Sequence, residues 1–200
     1  MKYTSNYLKH TSKNPLQRYL IGRFYSTLIE FALLATPVTI LDAGCGEGFT
    51  VEKLWGECVA EKLVGIDSSM LALGLGRKLH PKLDLRYGDI YKLPYKKDSF
   101  DLVICSEVLE HLTKPQLALA EAVRVSKKHL IITVPNEPFF MLANFLRGKN
   151  ISRLGNHPEH IQHWSFKRFK KFLKQQNLKV EYATTSFPWT IVLAQKGGKK

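Results

Sequence analysis

Short apolar runs recur through the first two thirds of the chain, and each ends on an acid, a glycine, a serine or a proline. Val38–Leu41, Leu63–Ile66, Leu83–Tyr87, Phe100–Cys105 and His129–Val134 are compact enough to be strands covered on both faces. Between them the apolar residues take helical spacing. One helix is expected over about Phe49–Val59, and a second from a Ser68 or Ser69 cap to about Leu79. A third should start near Glu107, with an interruption near Pro115. Strand and helix alternate at a spacing that predicts a parallel, doubly wound α/β sheet.

The flanks read differently. Residues 1–13 look like a loose tail. Tyr19, Leu20, Phe24, Leu28, Phe31 and Ala35 recur near helical spacing, which predicts one long helix opened by Pro15 and closed before Pro37. Beyond the last core strand come a short helix over Pro138–Arg147 and an irregular, histidine-rich insert over Gly148–His163. A helix over Phe166–Gln176 follows, capped by Ser165. Two strands, Leu178–Ser186 and Trp189–Gln195, then join through Pro188 as a hairpin, and the last four residues should be disordered. Gly74 and Gly76 weaken the second core helix. The chain divides as one domain: residues 1–36 tail and helix, 37–135 core, 136–176 insert and helix, 177–196 hairpin.

Composition narrows this picture only at its edges. Two hundred residues, 44% hydrophobic and 24% charged, suit one ordinary globular domain. Cys45, Cys58 and Cys105 are sparse and odd in number, which fits a reducing compartment. The first ten residues lack an apolar signal core, and Phe31–Leu41 is too short to cross a bilayer, so a cytoplasmic protein is expected. The net charge of +13 is uneven: residues 121–200 hold fifteen basic and four acidic residues. That half would attract an anion, whether nucleic acid, a phosphorylated small molecule or a lipid surface.

Candidate chemistry sits where the strands end. In an open parallel sheet ligands bind beyond the carboxyl ends of the strands. After the first strand stands Asp42-Ala43-Gly44-Cys45-Gly46-Glu47-Gly48, a tight glycine turn into a helix. After the second comes Asp67, about twenty residues past the glycines, where a carboxylate can accept from both hydroxyls of a ribose. Asp89 and Ile90 follow the third strand, Ser106 and Glu107 the fourth, Asn136 and Glu137 the fifth. The glycines are spaced G-x-G-x-G behind an acid, not in the G-x-G-x-x-G that receives a pyrophosphate. An acid at such a turn suits a ligand with a nearby amine or sulfonium.

These residues resemble the class I S-adenosylmethionine-dependent methyltransferases, of the small single-domain type 11-like kind. The resemblance rests on Leu41–Gly48, Gly65-Ile66-Asp67-Ser68-Ser69-Met70, Gly88-Asp89-Ile90 with Leu93-Pro94, and Phe100–His111. It covers about residues 38–135. It implies a Rossmann-like sheet in the order 3-2-1-4-5-7-6 with strand seven antiparallel, and S-adenosyl-L-methionine as cofactor. The cofactor's contacts would be Asp42, Gly44, Cys45, Gly46, Asp67, Ser68, Met70, Asp89, Ile90, Ser106 and Glu107. Methyl transfer to an oxygen or nitrogen can need a base, and His111 is the catalytic candidate. Glu107, Glu110 and His111 would share a helix face, the carboxylates orienting the imidazole. With a later histidine from His157, His160 or His163 they resemble the divalent-metal centre of small-RNA 3′-end methyltransferases. The same residues occur without metal, and none is assigned.

The reading is a methyltransferase acting on an O or N nucleophile of a small, anionic acceptor. Residues Asn156–Trp164 would cover the acceptor, with Asn136 and Glu137 at the rim. The basic helix Phe166–Gln176 offers two further partners, nucleic acid or a peripheral anionic membrane. An RNA methyltransferase is the alternative, although no Asn/Asp-Pro-Pro-Tyr/Phe signature stands after a strand. A non-catalytic nucleotide-binding domain is a third reading, and the glycine spacing opposes a nicotinamide enzyme.

Overall fold

The computed structural model describes residues 3–137, 139, 141 and 160–197. Its helices are α1 (Ser5–His10), α2 (Pro15–Leu34), α3 (Phe49–Gly56), α4 (Met70–Leu79), α5 (Pro115–Val125) and α6 (Phe166–Gln175). Its strands are β1 (Thr39–Ala43), β2 (Lys62–Asp67), β3 (Asp84–Tyr87), β4 (Phe100–Ser106), β5 (Ser126–Pro135), β6 (Leu178–Ser186) and β7 (Trp189–Lys196). They form one seven-stranded sheet in the order β3-β2-β1-β4-β5-β7-β6. Every pairing is parallel until β7, which runs antiparallel to both β5 and β6. The expected topology is the observed one. No helix among the described residues is long and apolar enough to cross a membrane.

The apolar runs lack clean alternation because both sheet faces are covered. Successive residues point to opposite sides, so Ile40 and Leu41, Leu102 and Val103, and Ile131 and Ile132 each split between two cores. One core packs Leu41, Val103, Leu130 and Val192 against Leu119 and Ala122 of α5 and Phe169 and Leu173 of α6. The other packs Ile40, Leu102, Ile131 and Ile191 against Phe24, Leu28 and Phe31 of α2. The long α2 therefore covers one face, with Asn14 capping its start and Pro15 in the first turn. Five Lys and Arg residues do not unsettle α6, because Phe169 and Leu173 lie on one stripe and are fully buried.

Three expectations are corrected. Residues 3–13 are not a loose tail: Thr4 caps α1, and its side chain accepts from the Tyr7 N–H at 3.0 Å. No helix starts at Glu107. That residue has φ +59°, which turns the chain out of β4 into a single 3₁₀ turn, Leu109–His111, before Pro115 opens α5. Gly76 is not a simple weakness of α4 either. A Cβ there would stand 2.5 Å from the Glu47 carbonyl oxygen, so glycine lets the turn after β1 pack on the helix. The short helix expected over Pro138–Arg147 and most of the histidine-rich insert, His157 included, lie outside the described residues.

Phe169 is the largest fully buried side chain, meeting Trp164 at 5.4 Å and Phe172 at 6.3 Å between ring centroids. Phe169→Ala is expected to cost about 3–5 kcal/mol of stability, the usual range for a buried aromatic truncated to alanine. Urea unfolding of the two proteins measures it, and a loss below about 1 kcal/mol would contradict this account of the core.

Candidate active site

The carboxyl ends of β1, β2 and β4 meet under α1 and the start of α2, and a cavity of about 1180 Å³ opens between them. Its floor is the turn after β1. Gly44 and Gly46 hold φ +91° and +53°, conformations that side chains resist. The Gly44 and Cys45 N–H groups both donate to the Ile66 carbonyl, at 2.7 and 3.0 Å, which pins the turn to β2. Asp67 adds the second tie. Its Oδ2 accepts from Gly46 N–H at 2.8 Å and its Oδ1 from Ser69 N–H at 2.7 Å. Ser69 in turn caps α4, accepting from Ala72 N–H at 3.2 Å.

Of the predicted site residues, Gly44, Cys45, Gly46, Asp67, Ser68, Ile90, Ser106, Glu107 and His111 line this one cavity. Asp42, Met70 and Asp89 do not. Asp42 lies beneath the turn, 1% exposed, with no hydrogen-bond partner for either carboxylate oxygen among the described residues. Burial first, and the Asp67 charge second, push its acid up to about 8. Asp42 therefore lies under the floor, outside the residues that line the cavity. Met70 is 61% exposed at the start of α4. Asp89 uses Oδ1 to accept from Tyr91 N–H at 2.9 Å, closing its own loop.

The far wall is built around Glu107. Its Oε2 accepts from Trp189 Nε1 at 2.6 Å and lies 3.9 Å from Lys9 Nζ. Lys9 also stands over the Trp189 ring, 5.7 Å from its centroid. Glu107 Oε1 is buried and has no hydrogen-bond partner among the described residues. Burial raises the Glu107 acid, against the opposing pull of Lys9. Next along the chain, Glu110 is 1% exposed, and burial with the Glu107 charge raises its acid well above the carboxylate range. His111 is exposed to the cavity and meets His160 with ring centroids 5.2 Å apart.

Residues 160–164 are stitched to this corner. Ile161 and Gln162 N–H donate to the Glu110 carbonyl at 2.8 and 2.9 Å, and Gln162 Nε2 donates to the Leu112 carbonyl at 3.0 Å. Asn136 and Glu137 are not at a rim: they are 3% and 4% exposed. Glu137 Oε1 instead pairs with His160 Nδ1 at 2.9 Å and lies 3.4 Å from His163 Nδ1.

Two contributors have no counterpart in the strand-end motifs. One is Trp189, from the antiparallel β7. The other is α1, which leans on the glycine turn: Thr4 Oγ1 and Asn6 Nδ2 both donate to the fully buried Glu47 carboxylate, the latter at 2.6 Å. His10 stacks on Phe49 at 4.3 Å, and its burial drives the imidazole down to about 3, so it stays neutral. The signal for α1 lay in Thr4-x-x-Tyr7, a capping serine/threonine pattern without a strong apolar stripe behind it.

Comparison with known proteins agrees with this geometry. Residues 41–132 match the family described as "Methyltransferase domain". A "Probable S-adenosylmethionine-dependent methyltransferase" of Mycolicibacterium smegmatis is 30% identical over 103 residues, half of this chain and 39% of that protein. The demethylmenaquinone methyltransferase of Renibacterium salmoninarum is 31% identical over 121 residues, 59% of this chain and 50% of that protein. These matches span half or less of the length of the curated relatives. Among solved structures, magnesium protoporphyrin IX methyltransferase from Synechocystis PCC 6803, with bound SAH, superposes with a TM-score of 0.71 at 16% identity. That overlap covers 94% of this chain and 91% of the other.

The state of Asp42 has a measurable consequence. Its folded value lies above the ordinary 3.8, so between about pH 4 and 8 the native protein holds a proton that the unfolded chain has lost. This contribution is fully present below pH 4 and drains away as the pH rises toward 8. Asp42→Asn cannot ionise, so its stability should fall less steeply over that window, by up to about 1.4 kcal/mol per pH unit. Urea midpoints of both proteins from pH 5 to 8 report it; parallel slopes would refute the buried, protonated acid.

Proposed function

From the class I S-adenosylmethionine-dependent methyltransferase domain that this chain carries, we propose an enzyme that methylates an oxygen or nitrogen of a small anionic acceptor. The observation that carries the reading is the shared cavity: Asp67 and the glycine turn line one end, Glu107 and His111 the other. The volume of about 1180 Å³ has room for a nucleoside-sized cofactor and a small acceptor side by side.

S-adenosylmethionine is the domain's cofactor, and the cavity fits it. Asp67 uses one lone pair of each oxygen on a backbone N–H and keeps the others toward the cavity, where two ribose hydroxyls can donate. Gly44 and Gly46 leave the main chain bare for close approach. Glu107 Oε1, buried without a hydrogen-bond partner among the described residues, suits an amine. Ile66 and Ile90 give an apolar flank for a base. Met70 and Asp89 lie outside the residues that line the cavity. When bound, the cofactor supplies a methyl carbon already activated by its positively charged sulfur.

The protein's part is alignment and charge. The floor and Asp67 fix one end of the cavity. His111 and His160 form its polar far wall, where the acceptor's nucleophile is oriented and its proton is managed. Lys9, reaching in from α1, supports an anionic acceptor there. Trp189 donates to the same Glu107 oxygen that Lys9 approaches and holds it in place.

Asp67→Ala is expected to weaken S-adenosylhomocysteine binding about 10- to 100-fold, the scale of losing charge-assisted hydrogen bonds. Calorimetry reads this directly, and NAD run alongside should not bind. NAD binding without S-adenosylhomocysteine binding would sink the reading. His111→Ala should leave that affinity within about twofold and lower turnover by about 100-fold or more. Unchanged turnover in a panel of small acid acceptors would remove His111 from the chemistry.

A further inference from the structure

The apolar stripe of α2 is buried along only part of its length. Leu16, Leu20, Phe24, Leu28 and Phe31 recur at helical spacing and share one face. Leu28 and Phe31 sink into the core with Ile40, Leu102 and Ile131. Phe24 is 5% exposed, Leu20 is half-buried, and Leu16 is 62% exposed. Those three line the cavity. A stripe that leaves the core and continues along a cavity wall is a surface made for a ligand.

The lining divides by chemistry. The glycine turn and Asp67 form the cofactor end, and Glu107 and His111 form a polar corner. A third part is apolar, with Leu8 of α1, Leu20, Ile21 and Phe24 of α2, and Trp189 of β7. This part starts at the polar corner: Trp189 Nε1 donates to Glu107 at 2.6 Å, and the Trp189 and Phe24 rings meet at 5.0 Å between centroids. It runs outward along α2 to Leu16, eight residues from Phe24, or about 12 Å at the helical rise.

We propose that this track binds an elongated apolar chain, and that the acceptor is an amphipathic acid with its head at the polar corner and its chain along α2. Two further features support an apolar chain here. The polar side chains beside the track are engaged with the backbone: Gln17 Nε2 donates to the Lys9 carbonyl at 2.9 Å, and Asn14 Oδ1 accepts from Gln17 N–H at 3.1 Å. The first of these bonds also ties α1 to α2, which gives the track two joined walls. The charge at this end has one sign as well. Residues 1–29 hold five Lys and Arg and no Asp or Glu. Lys9, which lines the cavity and stands 5.7 Å from the Trp189 ring centroid, is the cation nearest the start of the track. An acid head fits there by charge. That the bound chain belongs to the acceptor rests on the methyltransferase reading; that an apolar chain binds here does not.

The test titrates the full chain, with and without S-adenosylhomocysteine, with acetate, hexanoate, octanoate and decanoate below their micelle concentrations, read by calorimetry. Affinity should rise about three- to fourfold per methylene, the scale of burying a CH₂ group, until the track is full. Leu20→Gln should weaken decanoate about tenfold or more, and Leu16→Gln about threefold, through lost apolar contact. Lys9→Gln should weaken every member of the series by a similar factor and leave its slope alone. S-adenosylhomocysteine affinity, measured on each variant, certifies the fold, and the exposed Leu16 keeps the test valid if Leu20→Gln does not fold. No dependence on chain length, or undiminished decanoate binding in the folded Leu variants, overturns the proposal; where S-adenosylhomocysteine still binds, the methyltransferase reading stands. Chain-length-dependent binding in a protein that does not take S-adenosylhomocysteine upholds the track and sinks the other reading. Binding to phosphatidylglycerol vesicles with none to monomeric decanoate overturns the proposal and makes the stripe a membrane contact.

Discussion

The Asp67 carboxylate is the joint on which the site depends. It closes two backbone turns at once, one from the glycine loop after β1 and one from the start of α4. Both turns leave the sheet at adjacent strand ends, and Cys45 packed on Leu73 and Leu85 is the glycine turn's buried apolar contact. Two charge-assisted bonds from a single side chain join the two turns. Remove them and β1 and β2 remain paired, but the loops above them lose their common anchor. The sheet's stability and the site's shape thus rest on different interactions: apolar burial on both faces for the first, and polar ties at the strand ends, the Ile66 carbonyl and the Asp67 carboxylate, for the second.

The same separation explains what could be read along the chain. Strand order, parallel direction and the antiparallel closing hairpin follow from buried apolar runs and helical stripes, which are local signals repeated many times. Gly44, Gly46, Asp67 and Ile90 were legible because a parallel sheet presents its strand ends at one edge, so position in the pattern is position in the site. Asp42 shares that pattern and still falls beneath the floor. It is the last polar residue inside β1, and one step along a strand reverses the side to which a residue points.

The rest of the site comes from contacts that no local pattern encodes. Glu107 was read as helical because Glu107, Glu110 and His111 have helical spacing; its left-handed backbone breaks that spacing before it begins. Glu110 and His111 sit together on a 3₁₀ turn and not a helix face, and Glu107 and His111 both line the cavity. His160 joins them from fifty residues away, through bonds to a main-chain carbonyl that any residue could have offered. Trp189 reaches Glu107 across 82 positions. Such pairings become visible only once the fold has placed the elements.

No residue of the six-residue α1 is fully buried, His10 being partly so. An isolated helix of that length is unstable in water, so it stands on a few polar contacts, Thr4 and Asn6 on Glu47 and Lys9 on Glu107, and on the stacking of His10 on Phe49. The cavity is therefore roofed by an element whose opening free energy is decoupled from that of the walls. Repacking the core could raise the melting temperature without slowing the passage of molecules beneath α1. A single polar exchange at Glu47 would do the reverse.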